Sequence, residues 1–222
     1  MRFKRVYLEI TNVCNLQCSF CPGTARAPRF LSPEEFDLLA GRLEGATEYL
    51  YFHLMGEPLL HPALGELLER AGRHGFRVNL TSNGTRLSST AQTLLSAPAL
   101  HRINLSLQAW EGNPDLGELE NYVNQCADFA ARAAAEGLLV TLRLWNAGGA
   151  ETRNDEILRL LRAAFPGNWR AGQRNMTLAP RVFLESAERF DWPDPAAPES
   201  GAGFCYGLRD HIGVLCDGTV VP

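Results

Sequence analysis

The chain has no block of lysine and arginine. Basic and acidic side chains number 21 and 25, for a formal net charge of −4, and without a concentrated basic surface nothing is present to track phosphates. Nucleic acid is therefore not expected as a partner. A long apolar run at the start is missing too, because Met1-Arg2-Phe3-Lys4-Arg5 leads straight into a strand pattern. Neither a signal peptide nor a membrane span is expected, and the reading is cytoplasmic. The third absence is a glycine-rich dinucleotide fingerprint after the first strand. Internal repeats and low-complexity tracts are lacking as well. What remains is an ordinary globular balance, 45% hydrophobic and 21% charged residues over 222 positions, enough for one sizeable domain with a small appendage.

Hydrophobic periodicity alternates between strand and helix types. Strand-like runs cover 5–11, 48–54, 76–81, 101–107, 138–145 and, more weakly, 176–184. Between them, Phe36, Leu39, Ala40 and Leu43 repeat at helical spacing, as do Leu64, Leu67, Leu68 and Ala71, and Ile157, Leu160, Leu161 and Ala164. Ser32-Pro33-Glu34-Glu35 is a capping box with proline at the first helical position. Asn113-Pro114 marks the start of a further helix running to about Glu136. Strands alternating with helices imply parallel pairing through right-handed crossovers. An open doubly wound sheet and a partial barrel both fit this rhythm. A cysteine loop in place of the dinucleotide fingerprint favours an α/β partial (β/α)6 barrel of TIM type. Residues 191–203 are rich in Pro, Gly and Ala and read as a linker. Beyond them, 212–215 and 219–221 flank Asp217-Gly218, a tight-turn pair for a C-terminal β-hairpin. The expected division is a core over 1–190, the linker, and a short extension over 204–222.

Of six cysteines, Cys14, Cys18 and Cys21 fall within eight residues, while Cys126, Cys205 and Cys216 are scattered. So tight a cluster points to metal or redox chemistry rather than a disulfide framework. Structural zinc takes four protein ligands, and this loop offers three with no histidine nearby. Ordinary iron–sulfur clusters also use four cysteines. Three thiolates on a four-iron cluster leave one iron open for a substrate or cofactor.

The spacing in Cys14-Asn15-Leu16-Gln17-Cys18-Ser19-Phe20-Cys21, directly after a first strand, resembles the signature of the radical S-adenosylmethionine (SAM) superfamily, including the aromatic Phe20 before the last cysteine. The resemblance implies a 4Fe–4S cluster on Cys14, Cys18 and Cys21 whose open iron chelates SAM. It also implies reductive cleavage to a hydrogen-abstracting 5′-deoxyadenosyl radical and a low-potential electron donor such as flavodoxin or ferredoxin.

Polar motifs fall at the carboxyl ends of the strands, where barrel-type folds gather their sites. Met55-Gly56-Glu57-Pro58 is similar to the family's Gly-Gly-Glu-Pro motif, which contacts the SAM amino group, with Met55 in place of the first glycine. Thr81-Ser82-Asn83-Gly84-Thr85 resembles a Thr-Asn-Gly stretch near SAM. Ser106 matches a serine that contacts ribose or carboxylate, and relatives carry Asp-Gly where this chain has Gln108-Ala109. Arg143 and Asn146 are candidates for the SAM carboxylate and ribose. His53 lies in the second strand as a core or cavity histidine, and Cys126 reads as a small core residue on a helix. Phe204-Cys205-Tyr206-Gly207 with Gly218 resembles the opening of a SPASM or twitch-type auxiliary-cluster domain, represented only by its first hairpin. That hairpin is expected to end in an apolar strand without a partner, and the natural protein to continue or to be a shortened product. Relatives with such extensions often modify peptides, so the implied partner is a peptide; the alternatives are a small-molecule or cofactor-biosynthetic enzyme of the same family, or a non-catalytic iron–sulfur or zinc-binding protein.

Overall fold

The computed structural model describes residues 2–113, 115–148, 153–189, 207 and 209–222. The expected linker 191–203, Pro114 and Cys205 lie outside them. Strands and helices alternate as β1 (Arg5–Leu8), α1 (Pro33–Leu43), β2 (Tyr49–Phe52), α2 (Leu64–Arg73), β3 (Arg77–Ser82), α3 (Leu87–Leu95), β4 (Leu100–Ser106), α4 (Leu119–Ala135), β5 (Leu139–Ala147) and α5 (Asn154–Ala164). Five further strands follow: β6 (Arg170–Ala171), β7 (Met176–Ala179), β8 (Val182–Glu188), β9 (His211–Val214) and β10 (Val220–Val221). They form one sheet in the order β10-β9-β1-β2-β3-β4-β5-β8-β7-β6. From β9 to β8 every neighbouring pair is parallel, and the sheet does not close on itself. This is the partial barrel that the cysteine loop favours over a doubly wound sheet.

Alternation along each strand separates the two faces. Val6, Leu8, Leu50, Phe52, Val78, Leu80, Ile103 and Leu105 are buried in the core, beneath helices that pack in sequence from α1 on α2 to α4 on α5. The intervening positions Tyr7, Tyr51, Asn79 and Asn104 line a cavity on the opposite face. Local signals act as read. Ser32 accepts from the Glu35 backbone at 3.1 Å while the Glu35 side chain accepts from the Ser32 backbone at 2.9 Å. Leu64, Leu67, Leu68 and Ala71 of α2 are all buried. Ala164 alone of its set faces solvent.

Three boundaries differ from the sequence reading. The run 176–184 is two antiparallel strands, β7 and β8. Pro180 has no N–H for a ladder and Arg181 takes φ 65°, so the chain reverses there and only β8 joins β5. Helix α4 begins at Leu119 rather than at Asn113, because Gly117 sits at φ 81° just before it. Most consequentially, the C-terminal hairpin joins the core sheet through its first strand, while its last strand, β10, is a sheet edge among the described residues. Its strand β9 pairs in parallel with β1, Arg5 opposite His211 through Leu8 opposite Val214, and β10 returns antiparallel on β9. Gly213 permits this, since a Cβ there would lie 2.8 Å from Val221.

Candidate active site at the carboxyl ends of the strands

The cysteine loop leaves β1 at the carboxyl edge of the sheet. Cys14 and Cys21 are exposed and Cys18 half-buried, with a turn closed by the Cys21 N–H on the Cys18 carbonyl at 2.9 Å. Two sulfurs already receive N–H donors: Asn113 Nδ2 to Cys18 Sγ at 3.0 Å and the Leu16 amide to Cys14 Sγ at 3.5 Å. Burial raises the thiols of Cys14 and Cys18 above the ordinary value, so a nearby positive centre is what would hold them as thiolates. Among the described residues no group of three or more His, Cys, Asp and Glu is arranged around a single ion. Three cysteines, two of them with N–H donors on their sulfurs, fit a larger cluster, whose potential such donors tune.

The segment after β4 is what presents Asn113 to this loop. Asn113 Oδ1 accepts from the Gln17 amide at 3.0 Å and its Nδ2 also reaches the Ala109 carbonyl at 2.7 Å. Gly112 makes the approach possible, as a Cβ there would meet Phe20 at 2.9 Å and Cys18 at 3.1 Å. Phe20 thus packs on the β4 segment. Asn113 was read from sequence only as a helix start.

Glu57 is buried, 2% exposed, and its carboxylate is occupied internally. Oε1 accepts from Ser82 Oγ at 2.8 Å and the Leu59 amide at 2.9 Å, and Oε2 from the Asn83 amide at 2.7 Å. Burial pushes its pKa up against those three donors. The residue caps the turn opened by Pro58 and ties the end of β2 to the end of β3. Ser82 also accepts from the Gly84 amide at 2.9 Å. Asn83 reaches the cysteine loop through Nδ2 to Asn15 Oδ1 at 3.2 Å. Tyr122 of α4 donates its hydroxyl to the carbonyl of Asn83 at 2.7 Å, near that of Ser106 at 3.2 Å. The ends of β3 and β4 are thereby clamped together. Cys126 packs beneath Gly84, is fully buried, and has its thiol pushed up to about 12 by burial.

Gly56 takes φ 77°, and a Cβ there would lie 2.4 Å from the Thr11 carbonyl oxygen. The Gly56→Ala change is expected to cost about 1–3 kcal/mol from conformation alone, with the collision added. Urea unfolding against the parent reads this out, and an unchanged midpoint would refute the close approach.

Gln108 sits 7% exposed with its Oε1 lacking a hydrogen-bond partner among the described residues, an open acceptor just past the end of β4. Arg143 faces the sheet cavity, paired with Glu185 at 3.2 Å and stacked 4.3 Å from the Trp145 ring. Asn146 lies elsewhere: its Nδ2 donates to Glu111 at 2.6 Å and to Asn154 at 2.9 Å, tying β5 to α5.

Beneath the cysteine loop lies a group that sequence reading passed over. Glu9 is fully buried, and its two oxygens accept from Arg26 Nη1 at 2.6 Å and Nη2 at 2.7 Å. The same carboxylate receives the Met55 amide at 3.3 Å and the Cys216 amide at 3.2 Å. One side chain therefore joins the cysteine loop, the Gly-Glu-Pro segment and the C-terminal hairpin. The signal was available as a carboxylate inside the apolar run Tyr7-Leu8-Glu9-Ile10.

Residues 8–169 match the family model described as the radical SAM superfamily. The chain is 31% identical over 131 residues to a probable GTP 3′,8-cyclase of Methanocaldococcus jannaschii, covering 53% of this chain and 42% of that protein. It is 34% identical over 146 residues to a PqqA peptide cyclase of Xanthomonas oryzae, covering 62% and 38%. It thus spans roughly two-fifths of the length of these curated relatives. Among solved structures, SuiB of Streptococcus suis superposes with TM-score 0.62 at 14% identity, over 99% of this chain and 60% of that one. The structure of anSMEcpe with bound AdoMet and a Cp18Cys peptide superposes with TM-score 0.56 at 14% identity, over 89% and 53%. With the cysteine loop, the strand-end groups and the family model in agreement over most of its length, the chain belongs to the radical SAM superfamily of enzymes.

Proposed function

We propose that Cys14, Cys18 and Cys21 hold a 4Fe–4S cluster, that SAM binds beside it, and that the enzyme modifies a peptide. The observation that carries the reading is the cysteine loop itself, three thiols with N–H donors already on Cys14 and Cys18. When bound, the cluster and SAM supply a 5′-deoxyadenosyl radical for hydrogen abstraction.

The chain's own residues do the positioning. Asn113 and Leu16 stabilise thiolate sulfur by hydrogen bonding. Glu57 holds Ser82 and Asn83 in place, and the open acceptor of Gln108 suits an N–H or hydroxyl of the nucleoside or amino acid half of SAM. Gly56, Pro58 and Ser106 shape the rim through their backbone. Arg143 is suited to a carboxylate, and Phe20 shields the loop from water. Asn146 supports the rim through Glu111 and Asn154. The reading expects a flavodoxin or ferredoxin as electron donor. The PqqA peptide cyclase similarity favours a peptide substrate, whereas the GTP cyclase similarity supports a small-molecule reading as the alternative.

Anaerobically reconstituted and reduced protein given SAM is expected to release methionine and 5′-deoxyadenosine slowly without substrate. Chromatography of the quenched mixture decides it. Neither product from a fully loaded, reduced sample would refute the proposal.

A further inference from the structure

The face of the sheet opposite the helices bears an open cavity of about 810 Å³, within the range of substrate sites. Its charge runs against that of the chain. Among the described residues, Arg5, Arg102, Arg143 and Arg174 reach it with Glu185 as the single carboxylate on its lining, although the whole sequence carries −4. Glu185 pairs with Arg143 at 3.2 Å, so the remaining guanidiniums leave a local cationic excess. Arg102 is positioned by Thr141 Oγ1 at 3.1 Å and by the Phe183 ring beneath it. Composition does not account for such a concentration, and the three guanidiniums that Glu185 does not pair repel one another unless a further anion joins them.

The same wall holds unmet acceptors. Asn79 and Asn104 line the cavity at 4% and 2% exposure, and the Oδ1 of each has no hydrogen-bond partner among the described residues. The direction of Asn104 is fixed, because its Nδ2 donates to Thr81 Oγ1 at 3.1 Å and to the Leu80 carbonyl at 3.4 Å. His53 adds a third buried atom, its ring nitrogen Nδ1, that has no partner among the described residues. Buried acceptors of this kind call for N–H donors. A phosphate alone would satisfy the guanidiniums and leave the amide oxygens unmet. A lysine side chain would meet the oxygens and face the cations. An anion carried next to N–H groups meets both.

We propose that the cavity receives an acidic side chain of a peptide substrate, its carboxylate on the arginines and its neighbouring backbone N–H groups on Asn79 and Asn104. This rests on the peptide reading above and names the residue class that it would act beside. Arginine suits the task through its planar fork of donors, which matches a carboxylate, and Tyr7, Tyr51 and Trp145 flank the wall with rings that exclude water.

Calorimetric titration of the reconstituted full chain tests this with three probes: acetyl-Gly-Glu-Gly-amide, acetyl-Gly-Gln-Gly-amide and inorganic phosphate. The glutamate peptide is expected to bind about tenfold or more tighter than the glutamine peptide, with affinity falling as salt rises. Arg5→Gln and Arg174→Gln, at two exposed positions, should each shrink that preference severalfold with an unchanged circular dichroism spectrum. Equal binding of the two peptides, no binding of either, or phosphate bound as tightly as the glutamate peptide overturns the inference. Release of 5′-deoxyadenosine by the parent is scored separately. If it persists while the peptide preference is absent, only the cavity assignment fails; if it is absent, the reading of function fails first.

Discussion

Replacing Cys14, Cys18 and Cys21 by alanine together, with all other cysteines kept, is expected to reduce bound iron from about four per chain to background. The broad charge-transfer absorption of the reconstituted protein should vanish with it. The other described thiols cannot substitute. Cys126 is fully buried against Gly84 and its thiol is pushed up to about 12. Cys216 is 2% exposed, its amide is held by Glu9, and burial pushes its thiol up to about 11. The loop itself should survive, because its anchors are the Thr11 hydroxyl on the Arg29 carbonyl at 2.8 Å and the Asn12 side chain on the Ala27 carbonyl at 2.9 Å. An unchanged far-ultraviolet spectrum therefore accompanies the loss of iron. Iron retained in the triple variant would place the cluster elsewhere, and about eight irons in the parent would mean a second cluster.

The cysteine loop, the strand–helix rhythm and the capping box at Ser32 were legible because each is a local pattern: ligand spacing, hydrophobic period, or a side chain bonding its own turn. What escaped is non-local. Nothing in Ile212-Gly213-Val214 states that it will lie parallel to β1, since the same alternation serves any edge with a matching face. Glu57 was matched to a ligand contact by motif, yet its three donors come from Leu59, Ser82 and Asn83, two of them a whole βα unit away in sequence. Asn146 is similar, its partners Glu111 and Asn154 lying on different segments. The reversal at Pro180-Arg181, by contrast, was readable. A proline inside a weak strand run argues for a turn, and the run should have been divided there.

Glu9 is where these non-local ties converge, and its loss is expected to have the second large effect. The carboxylate is fully buried, whereas the Arg26 side chain is 28% exposed. Glu9→Ala leaves Arg26 without its partner and strands the Met55 and Cys216 amides, for a cost of about 3–5 kcal/mol. Glu9→Gln keeps shape and one acceptor but loses the charge, so it should fall between the two. Burial pushes the Glu9 carboxyl up, but the hydrogen bonds from Arg26 and Cys216 outweigh it, and it titrates below the ordinary value of 4.5. A depressed folded-state pKa means that the ionised pair stabilises the fold above the unfolded-state value, and that this stabilisation is lost as pH falls through the folded one. The gap between parent and Glu9→Gln should therefore be constant from neutral pH down to about 5 and narrow below about 4.5. Urea unfolding of the cluster-free proteins at pH 7 and pH 3.5 measures it. Because Glu9 joins β1 to Arg26, Met55 and Cys216 at once, the same variants should also load iron poorly, although no ligand has been touched. If Glu9→Ala keeps both full stability and full iron content, the carboxylate does not organise the loop. A gap that widens toward acid pH would contradict the assigned direction of its titration.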